Sequence, residues 1–226
     1  IASRHGNFPV KTGDKIAGTR IIPLVIEEEK MQKACEVAGK EPIFRILPYQ
    51  KKKAGIVTTG SEVYYHRIED KFTPVVIEKL KECGVTEVKQ IQCNDDHEMI
   101  TEAIQTLIED GSDLIVCTGG MSVDPDDRTP LAIKNACTEV VTYGAPVLPG
   151  AMFMLAYCEK EGRQIPVMGL PGCVMYAKRT IFDLALPRLL ADDEITAEEL
   201  AALGEGGLCL NCPVCTYPNC GFGKGW

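Results

Sequence analysis

The chain has 226 residues, with 24 basic against 32 acidic side chains and a formal net charge of −8. One domain with short appendages is expected at about one domain per 150 residues, and 45% apolar with 25% charged residues excludes a disordered or fibrous chain. The acidic balance excludes phosphate backbones as a bulk ligand, because such binding rests on Lys and Arg releasing counterions, and no run reaches the ~18–20 apolar residues of a bilayer span.

Residues 1–50 are mixed. Ile21-Ile22-Pro23-Leu24-Val25-Ile26 reads as a short β-like run, 27–38 as a helix ended by Gly39, and Lys51-Lys52-Lys53 as a boundary. From Ala54 onward short apolar runs, Gly-containing turns and amphipathic stretches alternate, the pattern of an α/β fold with a parallel sheet.

A strand over 54–58 runs into Thr59-Gly60-Ser61-Glu62. The helix over 73–83 has Pro74 in its first turn, Val75, Val76, Lys79 and Leu80 at helical spacing, and Gly84 as its stop. Residues 85–92 alternate as a strand. Asp95 is the expected N-cap of the next helix, with Glu98 three residues on and an apolar stripe of Met99, Ile100, Ala103, Ile104, Leu107 and Ile108 that stops at Gly111. Leu114-Ile115-Val116-Cys117 is a buried strand by its length and β-branching, and leads into Thr118-Gly119-Gly120. Thr129-Pro130 opens a helix to about residue 137; then 139–142 reads as a strand, 151–160 as a helix, and 165–168 as a strand ending in Gly169-Leu170-Pro171-Gly172. Residues 174–190 close the core as a helix bent or ended near Pro187. Residues 192–203 form a small outlying helix, capped by Thr196 with Glu199.

With parallel strands, Thr59-Gly60-Ser61-Glu62, Thr118-Gly119-Gly120-Met121-Ser122 and Gly169-Leu170-Pro171-Gly172 all fall at strand C-terminal ends, where open α/β sheets bind ligands. Glycine there lets backbone N–H groups approach an anion, and a following helix N-terminus adds partial positive charge. Together they point to a phosphorylated small molecule. Asp124-Pro125-Asp126-Asp127-Arg128-Thr129-Pro130 sets three carboxylates before a helix. Either they solvate the loop and favour the helix start, or one joins Asp95 or Asp96 in holding Mg²⁺, a hard ion suited to carboxylates and substrate phosphates. GxxxxGK[ST], GxGxxG and GxSxG are absent, and His5, His66 and His97 do not cluster.

The eleven cysteines fall into two groups. Cys35, Cys83, Cys93, Cys117, Cys137, Cys158 and Cys173 are scattered through apolar segments, where a free thiol behaves as a small hydrophobe. Cys209, Cys212, Cys215 and Cys220 crowd into the last eighteen residues as CxxCxxCx4C, with Pro213 and Pro218 between them. This distribution argues for a reducing cytoplasm and a metal site, against a secreted disulfide scaffold. Three close thiolates suit an iron–sulfur cluster; a compact Cys₄ zinc site and a metal-free redox tail stay open. Rich in Gly, Cys and Pro, residues 204–226 lack the makings of a core, so a bound metal is their expected organiser.

Thr59-Gly60-Ser61-Glu62, Thr118-Gly119-Gly120-Met121-Ser122, Asp127-Arg128-Thr129-Pro130, Leu148-Pro149-Gly150 and Leu170-Pro171-Gly172, in this order, resemble the molybdopterin-binding domain. That domain is shared by molybdopterin adenylyltransferases and molybdopterin molybdenumtransferases, and the resemblance covers about residues 54–190. Gly13-Asp14-Lys15 and Gly18-Thr19-Arg20-Ile21-Ile22-Pro23-Leu24-Val25 are similar to the segment leading into it in the molybdenumtransferase-like branch. With Ile1 in place of a Met, this implies a longer parent. The implied fold is a three-layer α/β/α sandwich with a mostly parallel sheet and, here, a Cys-rich C-terminal extension. Its parts are 1–50, the remnant of a preceding domain; 51–190, the molybdopterin-binding domain; and 191–226, a short helix and metal-binding tail.

The resemblance further implies that the pterin phosphate lies on the glycine loops, contacted by Thr59, Gly60, Ser61, Glu62, Thr118, Gly119, Gly120, Ser122, Pro149, Gly150, Pro171 and Gly172. In the adenylyltransferase branch two aspartates place Mg²⁺-ATP for attack by that phosphate on the α-phosphorus, and Asp95 and Asp127 match them. In the other branch adenylated molybdopterin exchanges AMP for molybdate. The chain departs from the family at Cys173-Val174, where a polar residue and then Pro is usual, and at Val123-Asp124-Pro125-Asp126. The expected protein is a cytoplasmic homo-oligomer, dimer or trimer, that binds molybdopterin or its adenylated form in molybdenum or tungsten cofactor assembly. ATP or molybdate is its co-substrate, and neither nucleic acid nor membrane is a partner. The alternative is a non-catalytic carrier or sensor whose cysteine tail, holding iron–sulfur or zinc, docks to a molybdoenzyme; a plainer one is a core for another phosphorylated small molecule.

Overall fold

The computed structural model describes residues 1–225. The chain divides into two compact units, Ile1–Pro48 and Tyr49–Trp226. In the first, β1 (Ala2–Ser3) pairs antiparallel with β2 (Ala17–Gly18), and α1 (Glu28–Ala38) ends at Gly39, which takes φ 70°. No residue of α1 is buried. The run Ile21–Ile26 read as β-like forms no strand, and Ile22 and Leu24 are 91% and 99% exposed. β-branching alone does not make a strand: Pro23 has no N–H, and no neighbouring strand offers this run a ladder.

The second unit is built on a six-stranded sheet. Its strands and helices, in chain order, are β3 (Lys53–Thr59), α2 (Ser61–Tyr64), α3 (Phe72–Glu82), β4 (Glu87–Cys93), α4 (His97–Glu109), β5 (Leu114–Thr118), α5 (Thr129–Ala136), β6 (Glu139–Tyr143), β7 (Met154–Lys160), β8 (Arg163–Leu170), α6 (Ile181–Leu190) and α7 (Ala197–Ala202). The spatial order is β4-β3-β5-β8-β7-β6. β4, β3, β5 and β8 run parallel, while β7 and β6 close one edge antiparallel. The chain leaves β3 for β4 on one side and returns past it to β5 on the other. Right-handed crossovers then force α3 and α4 onto opposite faces.

The side chains agree. Val57 and Cys117 pack into a cluster with Ile100, Ile104 and Leu107 of α4 and Ile133 of α5. Thr58, one residue on and so pointing the other way, bonds through its hydroxyl to that of Thr73 on α3, 2.8 Å. On that second face a buried ion pair of 2.6 Å joins Lys79 of α3 to Asp183 of α6. The result is the three-layer α/β/α sandwich, and no helix among the described residues is long and apolar enough to cross a membrane.

Two expected helices differ. Residues 151–160, read as a helix, contain β7, which forms a hairpin with β8 in the register Lys160↔Arg163. Met, Leu, Ala, Glu and Lys favour helix intrinsically, but a central slot in a sheet outweighs a few tenths of a kcal/mol per residue. The overlooked signal is the two-residue loop Glu161-Gly162, with φ 53° and 74°, the backbone a tight hairpin turn demands. Residues 174–190, read as one helix, comprise a 3₁₀ turn (Gly172–Met175), an irregular link and α6. α6 starts where Thr180 and Asp183 form a reciprocal capping box.

Pro187 neither bends α6 to a halt nor ends it, since the helix continues to Leu190. A proline four residues after Asp183 leaves that carbonyl without its intrahelical donor. Tyr217 supplies the replacement, its hydroxyl donating to Asp183 O at 2.9 Å. The Cys-rich extension, expected to be organised by a bound metal, is here placed by packing and hydrogen bonds. Leu208 bridges to Leu148, and Phe222 is 4% exposed. Tyr217→Phe removes only the hydroxyl, so urea unfolding should show a loss of about 1–3 kcal/mol for an orphaned buried carbonyl; an unchanged midpoint would mean another donor replaces it.

Candidate functional site

The rim at the C-terminal ends of β3, β5 and β8 is built from the register upward. Thr58 lies level with Thr118, and Thr118 with Leu170, so the turns that follow the three strands leave the sheet side by side. Gly119 takes φ 86°, and a Cβ there would overlap the carbonyl of Thr59; only glycine lets the second turn close on the first. Thr59 Oγ1 lies 3.2 Å from Thr118 O and 3.1 Å from Thr129 Oγ1, and Thr129 Oγ1 lies 2.9 Å from Gly119 O, so the two hydroxyl protons serve two of these three contacts at a time. The third turn joins through Met121, which is buried and fills the space a Cβ on Gly169 would need, its Cε at 2.6 Å.

Of the expected site residues, Thr59, Gly60, Ser61, Glu62, Thr118, Gly119, Gly120 and Ser122 are brought together on the first two turns. Glu62 and Ser122 are exposed, and Gly60, Ser61, Gly119 and Gly120 half-buried, so packed side chains do not plug the rim. Thr118 Oγ1 is the exception to the local pairing: wholly buried, it has no hydrogen-bond partner among the described residues. In the third turn Pro171 is buried, and Gly172 is exposed with open space where a Cβ would stand. Pro149 and Gly150 serve a different contact. Pro149 O accepts from Ile181 N at 3.2 Å, and a Cβ on Gly150 would stand 2.5 Å from the Ile181 side chain, so this pair seats the N-terminus of α6.

The two aspartates each hold a turn. Asp95 Oδ2 accepts from Ser61 N at 2.9 Å, tying the start of α2 to the end of β4. Capping of α4 falls to Asp96 instead, whose side chain accepts from Glu98 N and Met99 N; the expected cap was one residue early. Asp127 Oδ2 accepts from both Ser122 N at 2.6 Å and Ser122 Oγ at 2.7 Å, which folds the departing loop Val123-Asp124-Pro125-Asp126 back on itself. Tyr143, a residue sequence reasoning missed, donates its hydroxyl to Ser122 O at 3.3 Å. Burial, and next the charge of Asp127, push its phenol above the ordinary range. Tyr143 sits on the edge strand β6, and no local motif announces it.

Below the first turn a polar group on the α3 face supports β3. Gln90 donates to Thr58 Oγ1 at 2.8 Å and to Asp70 Oδ2 at 3.0 Å. Burial raises the Asp70 carboxyl, but hydrogen bonds from Thr73, Phe72 and Gln90 outweigh it and hold the group below its usual value.

Among the described residues no three His, Cys, Asp or Glu side chains assemble as a metal-ligating group. Asp95, Asp96, Asp124, Asp126 and Asp127 therefore do not form a cage, nor do Cys209, Cys212, Cys215 and Cys220. A cavity of about 430 Å³ lies at the other edge of the sheet, lined by Lys51, Asp113, Tyr157, Arg163 and Asp192 among others. Two ion pairs cross it, Lys51 with Asp192 at 2.6 Å and Arg163 with Asp113 at 3.6 Å.

A family described as "Probable molybdopterin binding domain" matches residues 55–191. Among curated proteins, the CinA-like protein of Mycobacterium tuberculosis (strain ATCC 25618 / H37Rv) is 35% identical over 85 residues, 38% of this chain and 20% of that protein. The CinA-like protein of Mycobacterium avium (strain 104) is 34% identical over 95 residues, 42% and 22% of the two chains. The match thus spans about a fifth of these relatives' length. Among solved structures, the tungsten cofactor synthesizing protein MoaB from Pyrococcus furiosus is 20% identical, covering 63% of this chain and 89% of that one with a TM-score of 0.47. The protein CinA, of unknown function, from Thermoplasma acidophilum is 16% identical, covering 53% and 88% with a TM-score of 0.44.

The rim geometry separates two glycines that look alike in sequence. Gly119→Ala must strain the left-handed backbone and displace Thr59, a loss of about 2 kcal/mol or more in thermal unfolding, whereas Gly172→Ala, facing open space, should stay within about 0.5 kcal/mol. Equal effects would contradict the close approach of the first two turns.

Proposed function

The chain belongs to the molybdopterin-binding domain family, and we propose that its glycine rim binds molybdopterin or adenylated molybdopterin in the assembly of a molybdenum or tungsten cofactor. The observation that carries the reading is the closure of the Thr118–Ser122 turn on Thr59 at parallel strand ends, with Gly119 stripped of any side chain at the point of approach. Half-buried backbone amides in such a turn are suited to a phosphate's oxygens. The unpartnered Thr118 hydroxyl marks unmet hydrogen-bonding capacity at the turn's base.

In the catalytic version Asp95 and Asp127 take the metal and phosphate role. Mg²⁺, when bound, would neutralise the substrate phosphates and the leaving group. The donor set fits that ion, which keeps several waters and takes one or two carboxylates with substrate phosphates rather than a full protein cage. With ATP as co-substrate, an oxygen of the pterin phosphate attacks the α-phosphorus and the bond to pyrophosphate breaks; with molybdate, AMP is the group displaced. Either way the chain contributes positioning and charge neutralisation, with no side-chain nucleophile.

A second reading has its own observation. Asp127 Oδ2 already accepts two hydrogen bonds from Ser122, so its charge can act wholly in holding the loop. The rim would then belong to a carrier or sensor whose cysteine tail, loaded with iron–sulfur or zinc, docks to a molybdoenzyme. Eleven unpaired thiols support a reducing, cytoplasmic setting for both readings, and the dimer or trimer of the family is part of the proposal.

The chain, incubated anaerobically with Mg²⁺-ATP and molybdopterin released from a molybdoenzyme, should yield adenylated pterin and pyrophosphate. Asp127→Ala should lower that rate about 10²-fold or more with its circular dichroism unchanged. Unaltered turnover in the variant confines Asp127 to the loop. Pterin retention with neither AMP transfer nor molybdate insertion selects the carrier, and failure to bind pterin overturns both.

A further inference from the structure

The four C-terminal cysteines lie on one closed loop. Gly223 N donates to Gly206 O at 2.9 Å, so residues 207–222, all four cysteines among them, leave and return to the same point. The loop is also fixed along its course. Leu148 N donates to Gly207 O and Cys209 N to Leu148 O, both at 2.8 Å. On the far side Tyr217 holds the Asp183 carbonyl, and the Arg179 guanidinium lies over the Tyr217 ring, 5.1 Å from its centroid. Between these anchors Lys178 Nζ donates to the carbonyls of Cys212 and Pro213 at 3.1 and 3.0 Å.

Cys209 and Cys220 are half-exposed, and Cys212 and Cys215 exposed. The stretch between the anchors is irregular, in neither helix nor strand. That combination is unusual for cysteine, which is among the most buried residue types when it acts as a hydrophobe. The core cysteines of this chain keep to that rule: Cys93, Cys117 and Cys158 are 1%, 0% and 4% exposed.

We propose that Cys209, Cys212, Cys215 and Cys220 form a four-thiolate site for a thiophilic metal centre, zinc or an iron–sulfur cluster, that closes within the pinned loop. The thiols do not stand as an assembled ligand set, so binding must draw the irregular stretch inward. The ordering penalty is confined to that stretch, because the loop's base and both flanks are already held; loop closure and backbone ordering are the main charges against a metal site. The thiol protons leave for solvent on binding. Four thiolates around a divalent ion carry net negative charge, and the Lys178 ammonium beside the Cys212 and Pro213 carbonyls offsets part of it. The spacing CxxCxxCx4C supports the cluster, and a tetrahedral Cys₄ zinc site uses the same four donors.

The test uses the whole chain, purified anaerobically and stripped with a chelator, then offered Co²⁺ as a coloured stand-in for Zn²⁺ in one arm and Fe²⁺ with sulfide in the other. One arm should take up about one ion or cluster per chain with thiolate charge-transfer absorption. Cys212→Ser/Cys215→Ser should cut that metal content at least about tenfold with the sheet's circular dichroism intact. Amide exchange at Leu148 and Cys209 should slow on loading. Lys178→Met, a change at a positioning residue, should speed metal release to a chelator without reducing the number of sites. No uptake in either arm, uptake that survives the double substitution, or recovery of these cysteines as disulfides in the anaerobic sample would each overturn the proposal. The pterin rim does not enter this test, so its result is independent of how the rim reading fares.

Discussion

The approach of Gly119 to Thr59 is the constraint on which the rim depends. Parallel strands stand about 4.8 Å apart, and turns leaving such strands ordinarily diverge because each carries side chains. Here the second turn sheds its side chain at the crossing and folds over the carbonyl of the first. One threonine hydroxyl then spans the gap, and another, at the start of α5, locks the fold-over in place. The N-terminus of α5 is thereby drawn toward the strand ends, with its partial positive charge.

The carboxylates around this rim look at first like an obstacle to an anion. Asp95 and Asp127, however, each accept hydrogen from the backbone of a glycine turn. Their charge is partly compensated by the amides they orient, as in helix capping. On the third turn's side, Lys178 and Arg179 point their charges elsewhere, to the tail carbonyls and to Asp183 and Glu82.

The parallel half of the sandwich was legible in the sequence because each βα unit carries two independent signals, a β-branched run and a 3.6-residue stripe, that agree on where the turn must fall. The glycine turns followed from that placement. The β7–β8 hairpin was not legible: Met154 to Lys160 has helical propensity, and only its position beside β8 makes it a strand. The assignment of Asp95 and Asp96 turned on a single residue, and either carboxylate suits a helix start; the deciding fact, a bond from Ser61, comes from the turn after the neighbouring strand, 34 residues away in sequence. Tyr143 was invisible for the same reason, reaching Ser122 from the opposite edge. Long-range partners of this kind leave no local periodicity.

Pro187 has one more consequence. The last helix of the core carries an unanswered carbonyl that is filled from 34 positions downstream, by Tyr217. During synthesis the sheet and its other helices can be complete while this valence still faces water. The segment that carries Tyr217 is therefore the closing stitch of the domain, and a ribosome-held chain short of it has a finished interior with one seam open.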